Sequence, residues 1–231
     1  MAVLDHIHMG SANIYTSIYA MTNEMKLGHY DGGFMSGVTI GHKAFPLGGG
    51  VYIEVESVID PFAVPEDAEP WFVKKAQQFN TEVFSGMCLR VDTMEELTEI
   101  AHRLGGIVNL KPAQRIRPDG PRVMSFSAPG GPSIPNPWQS GYPNWYCFQD
   151  RMYCHPSGQP TVPAPGLLNP QGVAWMEVGG TPEAMKKWLG QSPDDFGMKF
   201  NGKAPGLYAI GIKTNAGEVV LRRPAATQAS L

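Results

Sequence analysis

The sequence predicts an α+β protein built from repeated β-α-β-β-β modules. Three observations predict it. Leu4-Asp5-His6-Ile7 opens a strand that leads into a helix, a strictly alternating strand closes the unit on Tyr52-Ile53-Glu54-Val55-Glu56, and the same order of elements recurs from Phe84 onward. Internal repetition of this kind decides the architecture before any single element does.

The first module spans residues 1–60. Val3 to Met9 has the β-branched and apolar content of a strand, and Asn13 caps a helix whose Ile14, Ile18, Met21 and Met25 recur at helical spacing. That helix runs to Leu27 and stops at Gly28. Val38-Thr39-Ile40 and Tyr52 to Val58 supply strands, with Gly48-Gly49-Gly50 turning the chain between them. Period two sends Tyr52, Glu54 and Glu56 to one face and Ile53, Val55 and Ser57 to the other. Either glutamate can thus share a surface with His6, and His8 shares His6's face by the same alternation.

A connector follows at 61–80: an acidic, proline-rich stretch, then an amphipathic run from Trp71 to Asn80. The second module occupies 81–170. Phe84 to Val91 is a strand, Asp92 or Thr93 caps, and Met94 to Leu104 forms a helix ended by Gly105-Gly106, with Asp92 in the place of Asn13. Arg115 to Ser127 reads as a hairpin around Pro118-Asp119-Gly120-Pro121, and Asn144 to Arg151 as a further strand. The Gly/Pro-rich stretch 128–143, carrying Trp138 and Tyr142, has the length of a lid loop. A β-α-β-β extension covers 171–223: strand Gly172 to Gly179, helix Glu183 to Leu189 with Thr181 as cap and Pro182 in its first turn, and a hairpin turning at Asn215-Ala216-Gly217. Residues 224–231 read as a tail.

Composition excludes several classes. The formal charge of −3 with 17% charged residues leaves no basic stripe for a phosphate backbone, so nucleic acid is not an expected partner. No run of about 18 apolar residues and no basic-then-apolar leader occurs, which argues against a membrane partner and for a cytoplasmic protein. Cys88, Cys147 and Cys154 are too few and odd in number for a disulfide framework. No phosphate-cradling loop, nucleophile elbow or zinc-finger spacing is present.

The motif Leu4-Asp5-His6-Ile7, a helix cap seven residues after His6, Gly28, Leu47-Gly48 and Tyr52-Ile53-Glu54-Val55 resembles the glyoxalase-like branch of the vicinal oxygen chelate superfamily. The similarity extends to Trp145-Tyr146-Cys147-Phe148-Gln149 and His155-Pro156-Ser157, and covers the chain to about Leu189. It implies a cup-shaped mixed sheet with helices outside. It also implies a divalent metal held through a first-strand histidine and a last-strand glutamate of each module. His6 and Glu54 match in the first module. In the second, the histidine position falls on Ser85 and the closing position near Gln149. His42 is then a replacement ligand, with His155 as another, and the expected metal set is His6, Glu54, His42 and Gln149.

Each residue also has a reading that needs no chemistry. A lone strand histidine is most often a satisfied side chain, whereas Glu54 on an otherwise apolar strand is costly to bury without a cation or donor. His8 and Glu56 are the candidate acid–base pair, since imidazole titrates near pH 7. Glu177, in a similar strand pattern, reads as an outward-facing residue. Trp138, Tyr146, Phe148 and His155 are expected to line the pocket, with Trp145 and Tyr142 contributing to its wall. The resemblance implies a metal-dependent lyase, isomerase or hydrolase acting on a small oxygen-rich, flat or aromatic molecule inside the cup. The metal would be zinc, manganese or iron(II), with no organic cofactor. The alternatives are a metal-free protein that binds or sequesters a small molecule, a ring-cleaving dioxygenase, and, for assembly, a homodimer.

Overall fold

Among the described residues, twelve strands and four α-helices form two sheets with helices on the outside. The computed structural model describes residues 2–35, 39–60, 62, 69–116, 122–149 and 166–227. The first module comprises β1 (Val3–Gly10), α1 (Ile14–Met25), β2 (Tyr30–Met35), β3 (Ile40–Gly48) and β4 (Val51–Val58). After α2 (Trp71–Phe79), the second comprises β5 (Val83–Arg90), α3 (Met94–Arg103), β6 (Ile107–Ile116), β7 (Arg122–Gly130) and β8 (Asn144–Gln149). The eight strands close into a barrel in the order β1-β4-β3-β2-β6-β7-β8-β5, with β2 and β6 joined at Phe34↔Ile116. The fold is α+β, as the repeat implies.

The seam between modules is antiparallel, and its register exposes the repeat. Ile7 pairs with Met87, flanked by His6↔Cys88 and His8↔Gly86. These pairs interchange if Ile7 and Met87 are equivalent, so Asn13 corresponds to Thr93, His6 to Gly86 and His8 to Cys88. Each strand also carries one unpaired residue in the seam, Asp5 on β1 and Ser85 on β5, where the register shifts. The expectation that Ser85 stands where His6 does is therefore one residue out: Ser85 is the counterpart of Asp5. Likewise Thr93, not Asp92, caps α3, its hydroxyl accepting from the Glu96 amide.

Both faces of β1, β4 and β5 are buried because helices cover the outside. Ile53 and Val55 join Met21 and Met25 of α1 in an apolar layer that continues through Leu89, Trp145 and Leu97. α1 stops earlier than Gly28. Lys26 takes the left-handed conformation at φ 52°, which turns Leu27 into the core, and its carbonyl accepts from the Leu168 amide. β3 begins at Ile40, with Thr39 at positive φ before it, and Val38 lies outside the described residues.

The C-terminal region holds β9 (Pro170–Val178), α4 (Pro182–Leu189), a 3-10 turn, β10 (Met198–Phe200), β11 (Leu207–Thr214) and β12 (Gly217–Arg222). Its sheet, ordered β10-β9-β11-β12, packs Met176, Val178, Ile210 and Ile212 into the same apolar cluster as the barrel's outer layer. β10, three residues long, is too short to leave an alternating signal in the sequence. No helix among the described residues is long and apolar enough to cross a membrane.

Candidate active site

The parallel register of β1 and β4 sets His6 opposite Tyr52 and His8 opposite Glu54, and β3 brings His42 opposite Glu56. Alternation turns all of these inward, the face opposite Ile53 and Val55. His6, His8, His42, Glu54 and Glu56 are each at most 7% exposed. Gly32 on β2 makes room for His42, since a methyl group there would overlap the imidazole.

Asp5 reaches the interior although it is next to His6. It is the extra residue of the β1 bulge, and a bulge re-aims a side chain. Its Oδ1 accepts from His6 Nδ1 at 2.7 Å and its Oδ2 from Arg90 Nη1 at 2.6 Å. The matching bulge on β5 points Ser85 at His8, with Oγ 2.6 Å from Nδ1. Both imidazoles thereby have Nδ1 engaged and Nε2 directed into the barrel.

Glu54 is the hub. Its Oε2 lies 3.1 Å from His6 Nε2 and its Oε1 lies 3.0 Å from His42 Nε2. His8 Nε2 meets Glu56 Oε2 at 2.8 Å. Aromatic rings enclose the group: Tyr52 stacks on His6 at 4.9 Å, Trp138 on His8 at 4.4 Å, and Phe72 of α2 meets His8 edge-on at 4.8 Å.

Burial alone would lower the pKa of His6, but its neighbours, the Glu54 carboxylate and the Asp5 hydrogen bond among them, outweigh it and hold the imidazole well above its ordinary 6.5. Burial would raise Glu54, yet His42 and His6 on its two oxygens hold it well below 4.5. Geometry gives the reason. With Nδ1–H committed to Asp5, a neutral His6 would aim its Nε2 lone pair at a carboxylate, so a proton or another cation must lie between them. The Cys88 thiol beside His6 is pushed up to about 12 by burial and stays protonated; burial also raises the Tyr146 phenol.

The donor set fits a divalent metal. One nitrogen or oxygen from each of His8, Glu54 and Glu56 lies within 4.8 Å of the others, making a possible metal site. Adjacent ligands at about 2.1 Å from a shared ion stand about 3 Å apart, close to the histidine–carboxylate spacings here. Imidazole and carboxylate suit zinc, manganese and iron(II). Two groupings overlap at Glu54: His8 with both glutamates, and His6 with His42. The first is the better chelate because it brings two carboxylates to one point, while His6 and His42 lie on separate oxygens of one carboxylate.

The structure thus brings together His6, His8, His42, Glu54 and Glu56, but the grouping cuts across the expected roles. Tyr146 lies 5.6 Å from His6, and Phe148 stacks on Tyr146 at 6.1 Å. Trp145 and Tyr142 do not line the site. Trp145 takes the other parity of β8 and packs in the core near Trp188, on which Tyr142 stacks at 5.0 Å. The β5–β8 register sets Asn144 opposite Cys88 and Tyr146 opposite Arg90. By the repeat these correspond to Glu54 and Glu56, so the closing position is Asn144, five residues before Gln149. The side chain of Gln149, and His155 and Cys154 entirely, lie outside the described residues. Glu177 belongs to the second sheet, where it accepts from Arg222 and Asn201. Sequence reasoning missed Arg90 and the interior placement of Asp5. A lone arginine ending the apolar run Phe84 to Leu89 was a signal of the same kind as Glu54.

Comparison with known proteins agrees with this architecture. A family model described as a glyoxalase-like domain matches residues 4–191. The crystal structure of a hypothetical protein from Staphylococcus aureus shares the fold, with 11% identity over 97% of this chain and 86% of that one, at a TM-score of 0.57. Methylmalonyl-CoA epimerase from Mycobacterium tuberculosis aligns over 63% of this chain and 85% of its own, with 12% identity and a TM-score of 0.41. No curated protein matches the sequence. With most of its length matched by the family model and both modules in place, the chain belongs to the glyoxalase-like domain family of the vicinal oxygen chelate superfamily.

Proposed function

We propose that this protein is an acid–base enzyme, a lyase or isomerase, that acts on a small oxygen-rich molecule with a divalent cation held by His8, Glu54 and Glu56. The observation that supports the reading is the convergence of those three donors in a buried cluster with two further imidazoles on Glu54. A bound divalent cation would stabilise negative charge developing on a substrate oxygen. The chain's own residues do the rest. Asp5 holds the His6 ring so that Nε2 can give or take a proton at the substrate, and Glu54 stays ionised beside it. Ser85 fixes the His8 ring through Nδ1. Trp138 stacks on that ring and Phe72 meets it edge-on, and with His8 buried they keep water out, which strengthens each electrostatic contact.

Elemental analysis and calorimetric titration of untagged protein with zinc, manganese and iron(II) test the reading. The expected result is about one metal ion per chain, with affinity lowered about tenfold or more in His8→Ala and Glu54→Gln. A parent protein that takes up no metal after anaerobic reconstitution overturns it. One observation favours a second reading, metal-free binding of a small molecule: each Glu54 oxygen already has an imidazole nitrogen within 3.1 Å, so protonated imidazoles can balance its charge without a metal. Turnover that survives exhaustive chelation would exclude both the metal requirement and simple sequestration.

A further inference from the structure

The two halves of the barrel differ in kind. In the first, His6, His8, Glu54 and Glu56 face inward; in the second, the register places Gly86, Cys88, Asn144 and Tyr146 at the corresponding positions. The space a side chain at Gly86 would need is filled by Trp138, which a methyl group there would overlap. The indole N–H donates to Asn144 Oδ1 at 3.0 Å, and the ring stacks on His8. An aromatic wall thus stands where the second module would carry its own ligand.

Beyond that wall lies a recess of about 600 Å³, bounded by Asn109, Ser127, Asn144, Tyr146 and Trp138. This is within the range of sites that take small molecules. Ile107 and Leu110 line its mouth, 57% and 76% exposed. Trp138 and Tyr146 are shared with the ionisable cluster through His8 and His6, so the recess adjoins the cluster directly.

We propose that the second module's half of the barrel is a specificity recess that takes the non-reacting, uncharged ring portion of the substrate, with Trp138 and Tyr146 as its aromatic walls. This rests on the reading above for the identity of the reacting centre but not for the recess itself. The described lining offers carboxamides, a hydroxyl, rings and aliphatic carbon, which match hydroxyl and carbonyl groups on an apolar frame. Among the described lining residues an ionised group would meet only neutral dipoles in exchange for its hydration, at a cost. The exposed Ile107 and Leu110 are the apolar surface such a ligand covers on entry.

The test uses a matched pair of probes, 2-naphthol and 2-naphthoate, titrated calorimetrically into the full chain at pH 7. The expected result is measurable binding of 2-naphthol, with 2-naphthoate at least about tenfold weaker. Leu110→Asp, an exposed change that leaves the fold intact, and Trp138→Ala should each weaken 2-naphthol about tenfold or more. Equal affinity for the two probes, unchanged binding in Leu110→Asp, or no binding of either probe overturns the proposal. Metal uptake is measured on the same Leu110→Asp protein. Naphthol binding lost with metal uptake intact supports the recess. A parent that binds 2-naphthol in this pattern but takes no metal leaves the recess standing while the metal-dependent reading fails.

Discussion

Asp5 shows how one backbone irregularity sets the chemistry of a site. Without the bulge, alternation would turn it away from His6; with it, one carboxylate fixes the His6 tautomer and also accepts from buried Arg90. Residues that orient a ligand through its second ring nitrogen typically account for 10–100-fold in metal affinity. The ligand so oriented is His8, held through Nδ1 by Ser85, so Ser85→Ala is expected to weaken metal binding by about that range, measured by competition with a chromogenic chelator. Asp5→Asn instead removes the carboxylate from a buried pair with Arg90. A loss of up to about 3–5 kcal/mol is expected, read from the urea midpoint. Stability unchanged in Asp5→Asn would count against that pair as a stabilising contact.

Thr93 and the β1–β5 seam illustrate what elements contribute. Thr93 accepts from the Glu96 amide while the Glu96 carboxylate accepts from the Asp92 amide, so two free amides at the start of α3 are satisfied. Thr93→Ala should cost about 1 kcal/mol in chemical denaturation with the metal affinity unchanged, because α3 lies outside the barrel. The sequence carried these helices plainly: caps and spacing are local, and local signals survive in one chain. It also carried the inward face of β4, since period two is enough to put Glu54 and Glu56 together. The long-range register was less legible. Counting back from Asp92 instead of the true cap Thr93 sets Ser85, rather than Gly86, in the place of His6. The closing position moves further, from Asn144 to Gln149, because the long segment before β8 offers no local signal from which the strand's register can be counted. Tyr142 and Trp145 read as pocket aromatics because the partner that claims them, Trp188 of the C-terminal extension, is distant in sequence.

At the scale of the whole molecule, the cluster links stability to pH and to metal in opposite senses. His6 has a folded pKa well above 6.5, so its contribution is fully present below pH 6.5 and is lost as pH rises through the folded value. Glu54 has a folded pKa well below 4.5, so its contribution is fully present above pH 4.5 and is lost as pH falls through the folded value. Glu82, paired with Arg223, and Glu177, lowered to about 2 by Arg222 and Asn201, add to the acid-side loss in the same sense. The chelated protein should therefore be most stable between about pH 4.5 and 6.5 and decline toward alkaline pH. A metal ion takes the place of the protons shared between imidazole and carboxylate, so its binding releases protons and strengthens as pH rises. Its stabilisation grows with affinity as RT ln(1 + [L]/Kd). The melting temperature of metal-loaded protein should thus exceed that of chelated protein by a margin that widens from pH 5 to pH 8. Calorimetric titrations in buffers of different ionisation enthalpy should show the accompanying proton release. A constant margin, or metal binding without proton release, would mean that the ion sits elsewhere than between these histidines and glutamates.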